Sequence, residues 1–290
     1  MRLVAFVLAL CLGAGTAAAS PTLDQIAQRG TVRIGYISDQ APFSFKGKDG
    51  NPAGYAIGLC QTVAAEIGHQ VPHVKVEYVE STLSDAFDAV AAGRVDLLCG
   101  AVTINLTRRE KVDFSQPIFV TGASGLLRSD SPEDLQVLFL DKRPARAVEA
   151  AQSTRNIVGV RTGTTTDQVL RAALGGGASR TKIADFATHS EGLKALEDHK
   201  IDAYFADRAL LISLASRARD PKDLSVGTRL FTHEPYGIAV KRGDPDFRLL
   251  VDRTLTTTFL SDDFLKLLKT YFGSEASTLR SEITMQSIPE

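Results

Sequence analysis

The chain has 290 residues, of which 44% are hydrophobic and 23% are charged, and its formal net charge is −1. A chain of this length exceeds the usual size of one hydrophobic core and predicts two domains. The nearly balanced charge argues against a nucleic acid partner. Loss of residues 1–19 would remove Arg2 as their only charged residue and leave a net charge near −2.

Residues 1–19 are typical of an export leader. Arg2 supplies a short positive segment, residues 3–12 form an apolar core too short to span a bilayer, and residues 17–19 are three alanines that suit cleavage. We therefore expect the mature chain to begin near Ser20 and to act in the periplasm as a monomer.

The chain contains three cysteines, and one lies in the leader. Cys11 follows Leu10 where a lipoprotein signal would place a small residue, so lipidation is the less favoured alternative. Cys60 and Cys99 remain after cleavage. An oxidising compartment allows a disulfide between them if their helix and strand are adjacent, and two buried thiols are the alternative. Without CxxC spacing or clustered histidines, we expect no metal and no cofactor.

Strand and helix patterns alternate along two successive parts of the chain. In the first part, the patterns predict strands at 31–36, 74–79 and 95–100, with helices at 55–67 and 84–92. In the second part, they predict strands at 156–160, 182–185 and 202–205, with helices at 166–174 and 190–197. This alternation predicts two α/β units with largely parallel sheets.

Two apolar segments, 114–128 and 234–240, are suited to cross between the units and predict a hinge. The resulting division places the first lobe at 20–120 with a return at 234–273, and the second lobe at 121–233.

Two further segments lack a clear pattern. Residues 129–154 form a longer polar connection than an α/β unit needs, and we expect a loop there. Residues 274–290 show no periodicity, and we expect a mobile tail.

The segment from Leu98 to Pro117 suits the capture of a small carboxylate. Thr107 with Glu110 fits a capping box, which would place Arg108 in the first turn of a helix after a strand. An anion there would meet the helix dipole, free amides and a guanidinium fork. The alternative is a surface arginine after an ordinary strand.

Seven motifs occur in the order found in one family. They are Thr22-Leu23-Asp24-Gln25-Ile26-Ala27, Ala41-Pro42-Phe43-Ser44-Phe45, Gly54-Tyr55, Gly93-Arg94-Val95-Asp96-Leu97, the block from Cys99 to Pro117, Gly163-Thr164-Thr165, and Asp202-Ala203-Tyr204 before Asp207. From about 23 to 272 the chain resembles the periplasmic solute-binding proteins of ABC importers for polar amino acids, family 3. This resemblance implies a two-lobed α/β fold of type II, with a mixed, mostly parallel sheet in each lobe and two hinge crossings.

The resemblance also implies a ligand site. In the family, the positions of Arg108 and Thr103 hold the α-carboxylate of the ligand, with help from the backbone at Ala101. Thr164 matches a second-lobe contact to the same carboxylate, and the alternative is a plain helix N-cap. Asp207 matches the carboxylate that takes the ligand's ammonium group, and the alternative is a helix cap facing solvent.

The pocket for the ligand's side chain is less complete. His189 matches a histidine that contacts the distal carboxylate in the glutamate and aspartate branch, which the chain resembles most. That branch has basic residues where this chain has Ile37 and Ala86, and many relatives have an aromatic ring where it has Gln40. With His189 alone to pair a buried distal charge, an acidic and a neutral ligand both stay open.

The resemblance implies a binding protein that catalyses no reaction. Its two lobes would close on one L-amino acid, and the protein would deliver this ligand to a membrane permease. The same fold also resembles cyclohexadienyl dehydratase, a periplasmic enzyme that needs a general acid. Glu191 and His189 could serve, but neither lies in a motif that marks the enzyme. A module that senses a ligand for a membrane receptor is a third possibility.

Overall fold

Two five-stranded sheets form the centres of two lobes in the computed structural model, which describes residues 20–140, 155–174 and 180–289. The first sheet contains, in spatial order, Lys75–Glu80, Thr31–Tyr36, Leu97–Cys99, Ala239–Lys241 and Val112–Phe114. The second contains Lys182–Phe186, Ile157–Arg161, Ala203–Asp207, Ala123–Arg128 and Leu224–Val226. Each sheet has two parallel and two antiparallel pairings among these strands. The two-lobed α/β fold is confirmed.

Helices cover both sheets. In the described ranges they are Pro21–Arg29, Tyr55–Gln70, Leu83–Ala91, Leu106–Arg109, Glu133–Leu140, Thr165–Leu174, His189–Glu197, Arg208–Ser216, Pro245–Leu260, Asp262–Phe272 and Ala276–Gln286, with a 3-10 turn at Gly273–Glu275. Tyr55, Leu59, Val63 and Ile67 repeat every four residues and are all buried. This spacing gives one apolar face, which packs in the main core of the first lobe.

The chain crosses between the lobes at two antiparallel strands. Phe119–Thr121 pairs with Glu234–Tyr236, so that Thr121 faces Glu234 and Phe119 faces Tyr236. The ring of Phe43 packs edge-on against Tyr236 with a centroid distance of 5.1 Å. The predicted lobe boundaries, after 120 and after 233, fall at these strands.

A small three-stranded sheet, formed by Asp39–Gln40, Ser44–Lys46 and Pro52–Ala53, follows the first strand of the first lobe. Asp39 of this sheet contacts Ser190 on the second lobe.

Two predictions about irregular segments are wrong. Residues 276–286 form a helix rather than a mobile tail, because Ala276 and Ile283 are buried and Leu279 packs beside them at helical spacing. Beyond that helix, the N–H of Ile288 donates to Oε1 of Gln116 at 2.7 Å. The predicted loop at 129–154 contains the helix Glu133–Leu140, and residues 141–154 lie outside the described ranges.

The predicted disulfide is confirmed. Cys60, on the helix Tyr55–Gln70, is bonded to Cys99 at the end of a strand, and their Cα atoms are 6.4 Å apart. Residues 1–19, the predicted leader, lie outside the described ranges. Within those ranges, none of the helices combines the length and the apolar character needed to cross a membrane.

Candidate functional site

Asp207 lies buried at the carboxyl end of the strand Ala203–Asp207. Its Oδ2 accepts a hydrogen bond from the hydroxyl of Tyr236 on the hinge, and its Oδ1 has no partner. The pKa of Asp207 is raised to about 7, mainly by burial and also by the nearby Glu234, whereas Tyr236 and Arg108 oppose the shift. A buried acceptor without a donor suits an ammonium group.

Arg108 brings a cation to this region from the first lobe. Its Nη1 donates to the carbonyl oxygen of Thr103 at 2.8 Å, and its Cζ lies 4.8 Å from the ring centroid of Phe87. Burial lowers the pKa of Arg108, whereas the carboxylates of Glu234 and Asp207 act to raise it. A first-lobe cation and a second-lobe carboxylate therefore influence one another directly.

The predicted capping box at Thr107 and Glu110 is wrong. The N-cap is Asn105, whose side-chain oxygen accepts from the N–H of Arg108 at 2.8 Å, because the helix Leu106–Arg109 begins two residues earlier than expected. This helix has a single turn, and the N–H of Arg108 is already paired. The guanidinium, not a helix start, is what Arg108 offers to an anion.

Three hydroxyl groups lie on the two sides of the cleft. Thr103 is buried, and its Oγ1 is 3.5 Å from Oγ1 of Thr165 on the second lobe. The hydroxyl of Thr165 donates to Oε2 of Glu234 at 2.7 Å. Thr164, the predicted contact, instead donates to the carbonyl of Arg161 and accepts from the N–H of Asp167. Its hydroxyl thus serves as the helix N-cap, which was the alternative interpretation, and Thr165 faces the first lobe.

Gln40 and Ala101 contact each other. The N–H of Ala101 donates to Oε1 of Gln40 at 3.0 Å, and Gln40 is buried. A Cβ on Gly100 would lie only 2.5 Å from that oxygen, so glycine permits the approach. Gln40 therefore pairs the amide that the sequence interpretation assigned to the ligand, and it fills the place of the aromatic ring.

His189 is buried, and its Nδ1 lies 3.0 Å from the hydroxyl of Tyr204 in a hydrogen bond. The pKa of His189 is lowered to about 3, mainly by burial and also by the positive charges of Arg161 and Arg217. We expected a protonated His189 to pair with a distal carboxylate, and the burial of the ring and its hydrogen bond to Tyr204 favour the neutral form instead.

Asp39 of the first lobe contacts the start of the helix His189–Glu197. Its Oδ2 accepts from the N–H groups of His189 and Ser190, and its Oδ1 accepts from the hydroxyl of Ser190 at 2.6 Å. A carboxylate at a helix N-terminus is favourable both for the unpaired amides and for the helix dipole. This contact joins the two lobes.

A groove of about 1040 Å³ lies between the helices Tyr55–Gln70 and Pro245–Leu260 and contains none of the predicted ligand-binding residues. Its side chains, such as Gln61, Glu66 and Arg253, all come from the first lobe. A ligand there would not contact both lobes and would not favour their closure.

Residues 32–274 match the model of one protein family, the bacterial extracellular solute-binding proteins, family 3. The chain belongs to this family. The family is described as extracellular, which agrees with the predicted class.

Named relatives of this solute-binding protein are themselves binding proteins. The L-glutamate/L-aspartate-binding protein of Pseudomonas aeruginosa is 30% identical over 254 residues, which cover 87% of this chain and 80% of the relative. The crystal structure of an ancestral amino acid-binding protein, a precursor of cyclohexadienyl dehydratase, is 30% identical with a TM-score of 0.72 and covers 88% of this chain and 100% of its own. An ancestral arginine-binding protein bound to glutamine is 25% identical with a TM-score of 0.69, and the match covers 85% and 99% of the two chains.

Sequence reasoning missed three polar residues of this solute-binding protein that face the cleft: Asp39, Thr165 and Arg161. Arg161 is the last residue of a strand that was predicted to end at 160. Thr165 is the neighbour of Thr164, the residue that was predicted to contact the ligand. Polar residues at the carboxyl ends of strands were the available signal. Asp39 had no signal, because its partners come from the other lobe.

Proposed function

We propose that this chain binds an L-amino acid between its lobes and delivers it to the permease of an ABC importer in the inner membrane. One observation carries the proposal: Arg108 on the first lobe and Asp207 on the second present opposite charges to the same region. An α-amino acid carries a carboxylate and an ammonium on one carbon, and it complements this pair. Family membership and the amino acid-binding relatives support the assignment.

Arg108 and Asp207 lie on different lobes, so a ligand that contacts both side chains links the lobes. The guanidinium of Arg108, with the hydroxyl of Thr103, would hold the α-carboxylate, while Oδ1 of Asp207 would accept from the ammonium. Thr165 adds a hydroxyl from the second lobe. A ligand that contacts both lobes binds the closed form better than the open form, and this difference drives closure.

The proposed cellular setting follows from the leader and the family. Residues 1–19 would be removed on export, and the mature chain would act in the periplasm as a monomer that binds no nucleic acid. The mass of the protein recovered from the periplasmic fraction tests the cleavage near Ser20, and sedimentation tests the monomer.

A thermal-shift screen against the amino acids tests the proposed function. A ligand at a hundredfold excess over its Kd raises stability by about 2.7 kcal/mol. For each hit, the matched 2-hydroxy acid lacks the ammonium, and the matched amine lacks the α-carboxylate. Both analogues should bind much more weakly, because they leave Asp207 or Arg108 without its partner. A screen without a hit, or analogues that bind as well as the amino acid, would contradict the proposal.

A separate assay tests the alternative function, cyclohexadienyl dehydratase. Glu191 accepts from the N–H groups of Ala187 and Thr188 in a capping box, and His189 is neutral and bonded to Tyr204, so both candidate acids are engaged. We expect no phenylpyruvate from prephenate in a spectroscopic assay of the purified protein. Turnover there would favour the enzyme.

A further inference from the structure

Arg161 carries a buried donor without a partner. The residue is only 5% exposed, its Nε donates to the carbonyl of Ala187 at 3.0 Å, and its Nη1 has no hydrogen bond. Among the described residues, only Thr22, Arg161 and Asp207 have such an orphaned buried atom. A buried charged donor that stays unpaired is costly, so its presence points to a ligand.

Arg161 and Asp207 stand at one edge of the second sheet. The strands Ile157–Arg161 and Ala203–Asp207 are parallel neighbours, with Val160 opposite Phe205. Neighbouring strands are about 4.8 Å apart, so the two side chains start one strand apart at the edge where ligands of open α/β sheets bind. The two residues therefore share the carboxyl end of the sheet, and we expect the side chain of an amino acid held at Asp207 to pass across this end toward Arg161.

A carboxylate of the first lobe is among the charged groups that act on Arg161. Among the charged groups around it, Asp39 on the first lobe exerts the largest influence, followed by Tyr204 and Glu191 on its own lobe. Asp39 already accepts three hydrogen bonds from the start of the helix His189–Glu197. Arg161 therefore retains donor capacity in the interlobe space.

We propose that Arg161 determines specificity by binding the distal carboxylate of the ligand, and that the substrate class is the acidic amino acids. The inference rests on the proposed function, since Arg108 and Asp207 must hold the α-carbon. A planar guanidinium matches a carboxylate bidentately, and a ligand with a cationic side chain would bring a like charge beside a buried cation. Arg161 supplies the positive charge that burial disfavours on His189.

Calorimetry with L-glutamate, L-aspartate, L-glutamine and L-arginine tests this inference. The wild-type protein should bind an acidic amino acid more tightly than glutamine and arginine. Arg161→Met should weaken glutamate binding by about 30-fold or more, the usual effect of removing one partner of a buried charge pair, and should change glutamine binding by less than about threefold. Arg161→Lys keeps the charge without the fork, and it should retain a preference for glutamate over glutamine.

Arg217→Met is the matched control. Arg217 is an exposed cation on the same lobe that also acts on Asp39. The substitution Arg217→Met removes one positive charge, as Arg161→Met does, and it should leave the preference for glutamate unchanged.

The outcomes separate this inference from the proposed function. If no amino acid binds the wild-type protein, the proposed function is wrong and the inference falls with it. If glutamine or arginine binds at least as tightly as both acidic amino acids, or if Arg161→Met weakens all ligands equally, Arg161 is not the specificity residue, while the proposed function stands. If Arg161→Met fails to fold, the Arg161→Lys variant tests the inference. A lysine variant that no longer prefers glutamate over glutamine overturns the inference, and one that keeps this preference supports it.

Discussion

The hydroxyl of Ser190 on the second lobe donates a 2.6 Å hydrogen bond to Asp39 on the first lobe. The backbone N–H groups of His189 and Ser190 donate to the same carboxylate. These bonds form only when the lobes are close together. Asp39 therefore stabilises the closed arrangement without being one of the residues proposed to contact the ligand.

We predict that Asp39→Ala shifts the protein toward an open form and weakens ligand binding. Hydrogen bonds to charged groups contribute about 1.5–3 kcal/mol, and partial solvent exposure reduces this to a net effect of about 1–2 kcal/mol, or roughly five- to thirtyfold in Kd. Small-angle X-ray scattering should show a larger radius of gyration without ligand. Glu191→Ala, which removes a capping contact of the same helix within one lobe, should leave the radius unchanged.

Arg108→Ala should remove useful ligand binding while the fold stays intact. The guanidinium pairs with one backbone carbonyl and an aromatic ring, so its loss removes little of the core. Loss of one member of a pair with the ligand carboxylate costs about 2–5 kcal/mol, or roughly 30-fold to several thousand-fold in Kd. Arg109→Ala, at an exposed neighbour, is the control. A loss below about threefold for Arg108→Ala in calorimetry would exclude Arg108 from the site.

The raised pKa of Asp207 predicts opposite effects of pH on stability and on binding. Without ligand, the folded protein holds a proton on Asp207 between its ordinary value of 3.8 and about 7, whereas the unfolded chain has lost it. The contribution of Asp207 to the free energy of unfolding therefore falls as pH rises through this window. A ligand ammonium requires the ionised carboxylate, so affinity should rise with pH up to about 7 and then level off.

Calorimetry and thermal unfolding between pH 5.5 and 8 measure both effects of Asp207. Asp207→Asn should lose most of the affinity and should remove this part of the pH dependence. Asp220→Asn, at an exposed position on the second lobe, should behave as the wild type. An affinity that is constant over this range would show that Asp207 does not receive the ammonium.

The disulfide between Cys60 and Cys99 should be complete in protein isolated from the periplasm. Thiol titration of the unfolded, unreduced chain should detect no free sulfhydryl. The bridge joins residues 39 positions apart, and in the chain-entropy description a loop of this length contributes about 4 kcal/mol. The double variant Cys60→Ala, Cys99→Ala should therefore lower the urea midpoint, and two free thiols in the wild-type protein would refute the bridge.

Local patterns were sufficient to predict most of the fold. Apolar runs located three of the five strands in each sheet, and four-residue spacing located the helix Tyr55–Gln70. The helix Ala276–Gln286 was missed because one face of only three apolar residues packs on the lobe. Its stability comes from that contact, which no local pattern records.

The site was harder to predict, because it depends on which neighbouring side chain turns inward. Arg108 and Asp207 were found through the resemblance, and the charge of each acts on the pKa of the other. The expected charge on His189 could not be judged from the sequence, because burial beside Tyr204, rather than its neighbours in the chain, lowers its pKa. Asp39 and Arg161 lie on different lobes, so the influence of Asp39 on Arg161 arises only when the lobes are in contact.

The pairing of the hinge strands makes the second lobe an exchangeable module. Residues 122–233 form one continuous insertion whose ends, at Thr121 and Glu234, are paired opposite each other and therefore only about 5 Å apart. Arg161, Thr165 and Asp207 all lie on this insertion, whereas Arg108 lies on the surrounding lobe. A recombination event with two crossovers could therefore exchange the residues that bind the ligand's distal group and keep Arg108 for the α-carboxylate. A lineage could in this way change its nutrient without changing the rest of its transporter.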